Sequence, residues 1–241
     1  MDDGVVVALR GVSRAFGRRV VLEGVDLAVP AGQLLGVVGP NGGGKSTLLL
    51  LMSGLLRPTS GEARVCGIPA ASLSLTRAGL VGLVTARPGL YPLLTGRENL
   101  HHFAGLFGLS AREIDARAEP LLAALQLSTG FDERVAGWST GMQQKLSLVR
   151  ALLLSPRLLL LDEPSANLDP VVARALYAEV RRQADGGVAC VLVSHDLASV
   201  EAICDRAVLV DGGVRAEVPL TRRQVPAAGP LHEAWQRVVS R

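Results

Sequence analysis

Gly39-Pro40-Asn41-Gly42-Gly43-Gly44-Lys45-Ser46-Thr47 follows the apolar stretch Gln33–Val38 and precedes Leu48-Leu49-Leu50-Leu51-Met52. An apolar strand, a glycine-rich loop ending in Lys-Ser-Thr and a helix are together the parts of a phosphate-binding loop. Gly39 and Gly44 let backbone N–H groups converge on phosphate oxygens, Lys45 reaches the β and γ oxygens, and Ser46 is placed to ligate Mg²⁺. The helix that follows turns its positive N-terminal end toward the same anion. The loop therefore implies a nucleoside triphosphate as ligand. It does not say which machine uses it, because the same cradle serves kinases, GTPases, helicases and transport motors.

Composition narrows the field. With 241 residues, 49% of them apolar, the chain can bury a core without staples. Net charge is only +3, and the basic residues are dispersed in pairs such as Arg18-Arg19, Arg181-Arg182 and Arg222-Arg223. With 3% aromatic residues there is no base-stacking surface either, so nucleic acid is not expected as a partner. Cys66, Cys190 and Cys204 lack the paired spacing of a zinc or redox site and are read as buried free thiols in a reducing cytosol. Met1-Asp2-Asp3-Gly4 opens acidic, unlike a signal peptide, so the expected starting compartment is the cytosol. The leucine-rich runs at 48–56 and 151–161 are shorter than the roughly 20 residues of a bilayer span.

Short apolar runs bounded by glycine alternate with helical patterns, the mark of an α/β fold with a mostly parallel sheet. Strands are expected near 5–10, 20–29, 33–38, 62–66, 80–84, 157–162, 188–194, 206–210 and 214–218. Between Pro88 and Pro156 the texture turns helical. Ala111–Leu127 reads as one helix; Asp115–Leu127 within it, and Thr140–Leu154 after a Ser139 N-cap, space their apolar residues for one buried face.

Leu158-Leu159-Leu160-Leu161-Asp162-Glu163-Pro164 reads as a buried strand that delivers two carboxylates at its C-terminal end. Alternate side chains of a strand diverge, so the acids divide the work: Asp162 supports Mg²⁺ and Glu163 polarises the attacking water. Trp138-Ser139-Thr140-Gly141-Met142-Gln143-Gln144-Lys145 opens a capped helix, with Gly141 admitting close approach of an anion; alone it is an ordinary helix start. Ser165-Ala166-Asn167-Leu168-Asp169 follows the acidic strand, and a later strand ends at Val193-Ser194-His195-Asp196.

Taken in this order, the motifs over residues 5–217 resemble the ATP-binding cassette (ABC) ATPases. The resemblance implies a P-loop NTPase of the ABC type, with a mixed sheet core, an antiparallel β part and a helical insert at about 88–155. It implies a cassette over 1–218 and a C-terminal tail with a short helix over 219–241. By it, Gly39–Thr47 is the Walker A loop, Asp162 and Glu163 are Walker B, Ser139–Gln144 is the signature, Asp169 closes the D-loop and His195 is the switch histidine beside the γ-phosphate. Glu163 and His195 are then catalytic, and Ser46 and Asp162 serve the metal. Phe16 matches the ring that stacks on adenine, with a core phenylalanine as the other reading. Family geometry implies ATP clamped between one Walker A loop and the Ser139 helix of a second subunit, either this chain or a close relative. A separate integral-membrane permease would hold the pair on the inner face of the cell membrane.

Three motifs depart from the family pattern. Gly43 replaces the usual small side chain, which raises the ordering cost of the loop by about 0.5–1 kcal/mol relative to alanine. Thr140 and Met142 replace glycine and glutamine, as in subunits serving ABC-2-type exporters. Ala86, in Leu83-Val84-Thr85-Ala86-Arg87-Pro88, stands where the family carries its Q-loop glutamine and can neither ligate metal nor orient water; this leaves both tasks to Ser46, Asp162 and Glu163. The stretch Pro88–Leu100 resembles the site where the permease docks, with a loop covering the core as the alternative. Leu231, Trp235 and Val238-Val239 recur at helical spacing, for packing on the domain or for a membrane surface. Two rival functions fit the same loop: a non-transport ABC ATPase and a nucleotide-responsive module that does not hydrolyse.

Overall fold

The structure is a computed structural model and describes residues 4–73, 79–127, 131–166, 168–221 and 230–239. Met1, Asp2, Asp3, Asn167, Arg222, Arg223 and the side chains of Val238 and Val239 lie outside the described residues.

The chain forms two sheets. One is antiparallel, with strand order β2-β1-β4-β5, and comprises β1 (Val5–Phe16), β2 (Arg19–Pro30), β4 (Ser60–Val65) and β5 (Ile68–Pro69). The other has the order β10-β9-β3-β8-β7-β6. Its strands are β3 (Leu34–Val38), β6 (Val81–Thr85), β7 (Leu158–Asp162), β8 (Ala189–Val193), β9 (Arg206–Val210) and β10 (Val214–Pro219). All of these run parallel except β10, which pairs antiparallel with β9.

The sequence places the strands well but stops the first at Arg10, because Gly11 breaks its apolar run. In the structure β1 continues to Phe16, and Gly11 is a bulge at φ +57°, where the register with β2 shifts between Leu9 and Val12. A bulge absorbs one extra residue without ending a ladder, and the Gly11 N–H donates to Asp26 Oδ1 at 2.8 Å. The two-residue strand β5 carries no periodicity and leaves no sequence signal.

The helices are α1 (Lys45–Ser53), α2 (Gly96–Gly105), α3 (Ala111–Ala124), α4 (Thr140–Leu152), α5 (Pro170–Asp185), α6 (Leu197–Ile203) and α7 (Pro230–Val239). Side-chain caps start most of them. Thr95 with Glu98 and Ser110 with Glu113 form capping boxes for α2 and α3, and Ser139 Oγ accepts from Met142 N at 3.2 Å at the head of α4. α3 ends three residues before Leu127, since Gln126 takes φ +53° and lets Leu127 N donate back to Leu122 O at 2.8 Å.

The parallel strands β3, β7, β8 and β9 are buried on both faces, and their period of two divides them between two cores; the edge strand β6 is only partly buried. Leu159 and Leu161 of β7 join Leu146, Val149 and Leu176 on the side of the later helices. Leu158 and Leu160 join Leu48, Leu51 and Met52 of α1, together with the inner face of the antiparallel sheet. Leu34 and Leu35 of β3 split in the same way. α1 is thus clamped between the two sheets, which fixes the loop that leads into it. Cys190 and Cys204 are buried as expected, and burial pushes the Cys190 thiol up to about 12; Cys66 departs from expectation in being only half-buried.

Candidate functional site

β3, β8, β7 and β6 are parallel neighbours, so their C-terminal ends emerge along one edge of the sheet. The register lines up Val37, Val193, Asp162 and Thr85 across that edge. The loops that follow these residues carry Gly39–Gly44, His195, Glu163 and Ala86, and crevices beyond the strand ends are where such sheets bind ligands.

Gly44 holds φ at +104°, and a Cβ there would stand 2.6 Å from Leu22 Cδ2 and 3.0 Å from Val21 O. Only glycine fits that backbone. At Gly43 the structure corrects the sequence reading: a Cβ would lie 2.7 Å from Val210 O and 3.1 Å from Pro40 O, so alanine would crowd the loop rather than stiffen it. The reason is the turn between β9 and β10, whose Gly212 N–H donates to Gly43 O at 3.0 Å and braces the loop from behind.

No side chain caps α1, and its leading N–H groups, unlike those of the other capped helices, are left for the loop and an anion. Lys45 is 9% exposed, and its Nζ donates to Gly39 O at 2.8 Å and Pro40 O at 3.0 Å. Ser46 Oγ donates to Asp162 Oδ1 at 3.2 Å. Glu163 Oε2 meets His195 Nδ1 at 2.8 Å, and Glu163 N donates to Val193 O at 3.0 Å. Glu163 itself sits at φ +49°, outside the strand conformation of its neighbour.

Lys45, Ser46, Asp162 and Glu163 border one open cleft of about 360 Å³; His195 is not among its lining residues and meets it through Glu163. Asn41, Gly42, Gly44, Lys45, Ser46 and Thr47 line it from the loop, and Asp162 and Glu163 line it from β7. The donor set of hydroxyl and carboxylate oxygen fits a hard divalent cation such as Mg²⁺, which keeps its remaining places for phosphate and water. Arg19, Val21 and Val193 also line the cleft and were not singled out from the sequence. The Arg18-Arg19 pair at the junction of the turn and β2 was the one available sign.

Other candidates lie elsewhere. Phe16 is 48% exposed at the β1–β2 turn, with the Arg14 guanidinium 4.4 Å above its ring, so the core reading of Phe16 is overturned: no layer covers the turn. Its cross-strand partner is Arg19, which reaches the cleft. Ser139 and Gly141, at the head of α4, do not line the cleft of their own chain. Asp169 caps α5 by accepting from Val171 N at 2.8 Å. Ala86 is exposed just beyond β6.

Comparison with known proteins agrees with this geometry. The family model described as ABC transporter matches residues 22–166, from the second strand through both carboxylates. The chain belongs to the ABC transporter family. Within it, the chain is an ATP-binding, ATP-hydrolysing domain. It is 35% identical over 207 residues to a Nod factor export ATP-binding protein I of Burkholderia lata, covering 86% of this chain and 68% of that protein. The counterpart of Rhizobium meliloti is 36% identical over 87% of this chain, which spans 62% of its length. Among solved structures, an ATP binding subunit of an ABC transporter superposes with a TM-score of 0.82 at 33% identity, over 89% of this chain and 90% of that one. The cassette MJ0796, solved as a dimer in a post-hydrolysis state with ADP and Pi, gives 0.79 at 27% identity over 89% and 99% of the two chains.

Proposed function

We propose that this ABC ATPase is the motor of a transporter, and that it drives export through a separate membrane permease from the cytoplasmic face. The observation that carries the hydrolytic part is the 2.8 Å contact between His195 Nδ1 and Glu163 Oε2 beside Lys45 and Ser46. Lys45 exchanges its two loop carbonyls for the β and γ oxygens of ATP, and the backbone of Gly39–Thr47 wraps the phosphates. Ser46 and Asp162 hold Mg²⁺, which when bound neutralises phosphate charge. Glu163 accepts a hydrogen bond from the attacking water and aims it, while His195 fixes the Glu163 carboxylate and is placed for the γ-phosphate.

The cleft is open, and exposed Ser139 caps a helix of the same chain with Gly141 in its first turn. A second copy or a close relative brings these two residues over the ATP, and Phe16 stacks near the adenine. Residues 85–100 carry the movement to the permease. Export is supported by the role for which the Nod factor relatives are named and by Ser139-Thr140-Gly141-Met142. In this reading residues 1–218 form the cassette and 219–241 a tail.

Phosphate release measured with ATP and Mg²⁺ tests the assignment. Glu163→Gln should lower turnover about 100-fold or more while nucleotide still binds. Turnover at the unmodified rate would remove Glu163 from this role.

A further inference from the structure

Between β6 and α2 the chain crosses residues 86–95 as a strap held largely by side chains. Gln144 of α4, 2% exposed, donates from Nε2 to Thr85 O at 2.9 Å. Arg150 of the same helix donates to Gly89 O at 2.6 Å and Pro88 O at 2.8 Å, with its guanidinium 5.1 Å over the Phe103 ring. Asn99 of α2 closes the far end: its Oδ1 accepts from Tyr91 N at 2.8 Å, and its Nδ2 donates to Tyr91 O at 3.0 Å and Thr95 O at 2.9 Å. Every acceptor that Gln144, Arg150 and Asn99 Nδ2 use here is a main-chain carbonyl. The grip is therefore indifferent to which side chain stands at position 86, where this chain has alanine.

We propose that Gln144 and Arg150 are positioning residues for hydrolysis, making α4 the clasp of the strap and, through Thr85, of the Asp162 end of β7. Thr85 is both the residue gripped by Gln144 and the register partner of Asp162, which in turn bonds Ser46. The head of α4 presents Ser139, and its body holds the strap. One 13-residue helix thus ties the signature end to the metal-side carboxylate without a glutamine at 86. The exposed Tyr91 and Leu93 ride on the same strap, so a load applied there reaches α4 and β7 together. The inference rests on the ATPase reading above.

The test uses the full chain with Gln144→Leu, Arg150→Met, Arg150→Lys and the Gln144→Leu/Arg150→Met pair. Three quantities are read: hydrogen exchange of the amides in 86–91, kcat for phosphate release, and the equilibrium Kd for ATP. Loosening the clasp should speed strap exchange about tenfold and lower kcat about fivefold, with Kd within about twofold. The pair should be no worse than its worse member, and Arg150→Lys, which keeps a donor, should recover part of kcat. Unchanged strap exchange, or unchanged kcat with a loosened strap, overturns the proposal; so does a Kd that rises in step with the fall in kcat. Where Arg150→Met does not fold, Gln144→Leu decides. A parent chain that releases no phosphate overturns the ATPase reading and the positioning role with it, while strap exchange in the variants still decides whether the clasp exists.

Discussion

Glu163 holds φ at +49°, a region that costs a non-glycine residue about 1–3 kcal/mol. The Val193 carbonyl, which accepts from its N–H, keeps it there, and the kink swings its carboxylate to His195 while Asp162 faces Ser46. The divergence of the two carboxylates was expected from strand alternation, whereas in the structure it comes from this left-handed turn. No sequence pattern marks a glutamate for positive φ. Gly44 is the complementary case, since the loop motif itself requires glycine there. Gly44→Ala should lose about 1–3 kcal/mol of stability and most of its nucleotide affinity, because both φ +104° and the Leu22 contact oppose a Cβ. Thermal melts with and without ATP report the two losses separately; an alanine variant that melts and binds like the parent would show that the loop has another conformation available.

At the scale of elements, α6 and α7 are joined through one carboxylate. Glu201, 8% exposed on α6, accepts from Leu231 N at 2.9 Å and His232 N at 3.3 Å, and so caps the start of α7 from another helix. Leu231 is fully buried, and Trp235 packs against the same core. The apolar spacing of the tail was visible in the sequence; its anchor was not, because Glu201 lies 30 residues upstream and reads as an ordinary surface glutamate. Glu201→Ala should weaken the attachment of α7 by about 1.5–3 kcal/mol, the worth of a hydrogen bond to a charged group. Exchange of the amides at 231–235 would rise while that of β3 and β7 stayed fixed. If the amides of α7 kept their protection, the helix would be held by Leu231 and Trp235 alone. The caps of α2, α3 and α4 show the opposite situation: each lies within a few residues of its helix, and each could be read locally.

Across the whole molecule, two cores share one parallel sheet, and every chemically active loop leaves the same edge of it. That much follows from run lengths, glycine positions and motif order, which is why the strand assignment and the loop–carboxylate–histidine set were legible. The strap was not, because Gln144 and Arg150 contact main-chain atoms 59 to 62 residues away and, like the nearer Asn99, obey no period. The open cleft and the displayed Ser139 set the prediction at this scale. In Glu163→Gln, cysteines introduced as Asn41→Cys and Ser139→Cys should join two chains when ATP and Mg²⁺ are present and not otherwise. Asn41 and Ser139 are exposed, whereas the native Cys190 and Cys204 are buried, so with half-buried Cys66 replaced by serine a gel of oxidised samples reads the new pair above background. Monomers under all conditions would end the proposal of a shared nucleotide.

Lys45 bonds the carbonyls of Gly39 and Pro40, so its ammonium has partners within the loop itself and the cradle has an internal tenant. Filling the site is then an exchange of partners, in which the newcomer must outbid two carbonyl oxygens at once. A lone inorganic phosphate is poorly equipped for that contest, whereas a chain of phosphates can engage the backbone amides first and evict the lysine second. The order of those events would make the loop selective for polyphosphates before any base is recognised.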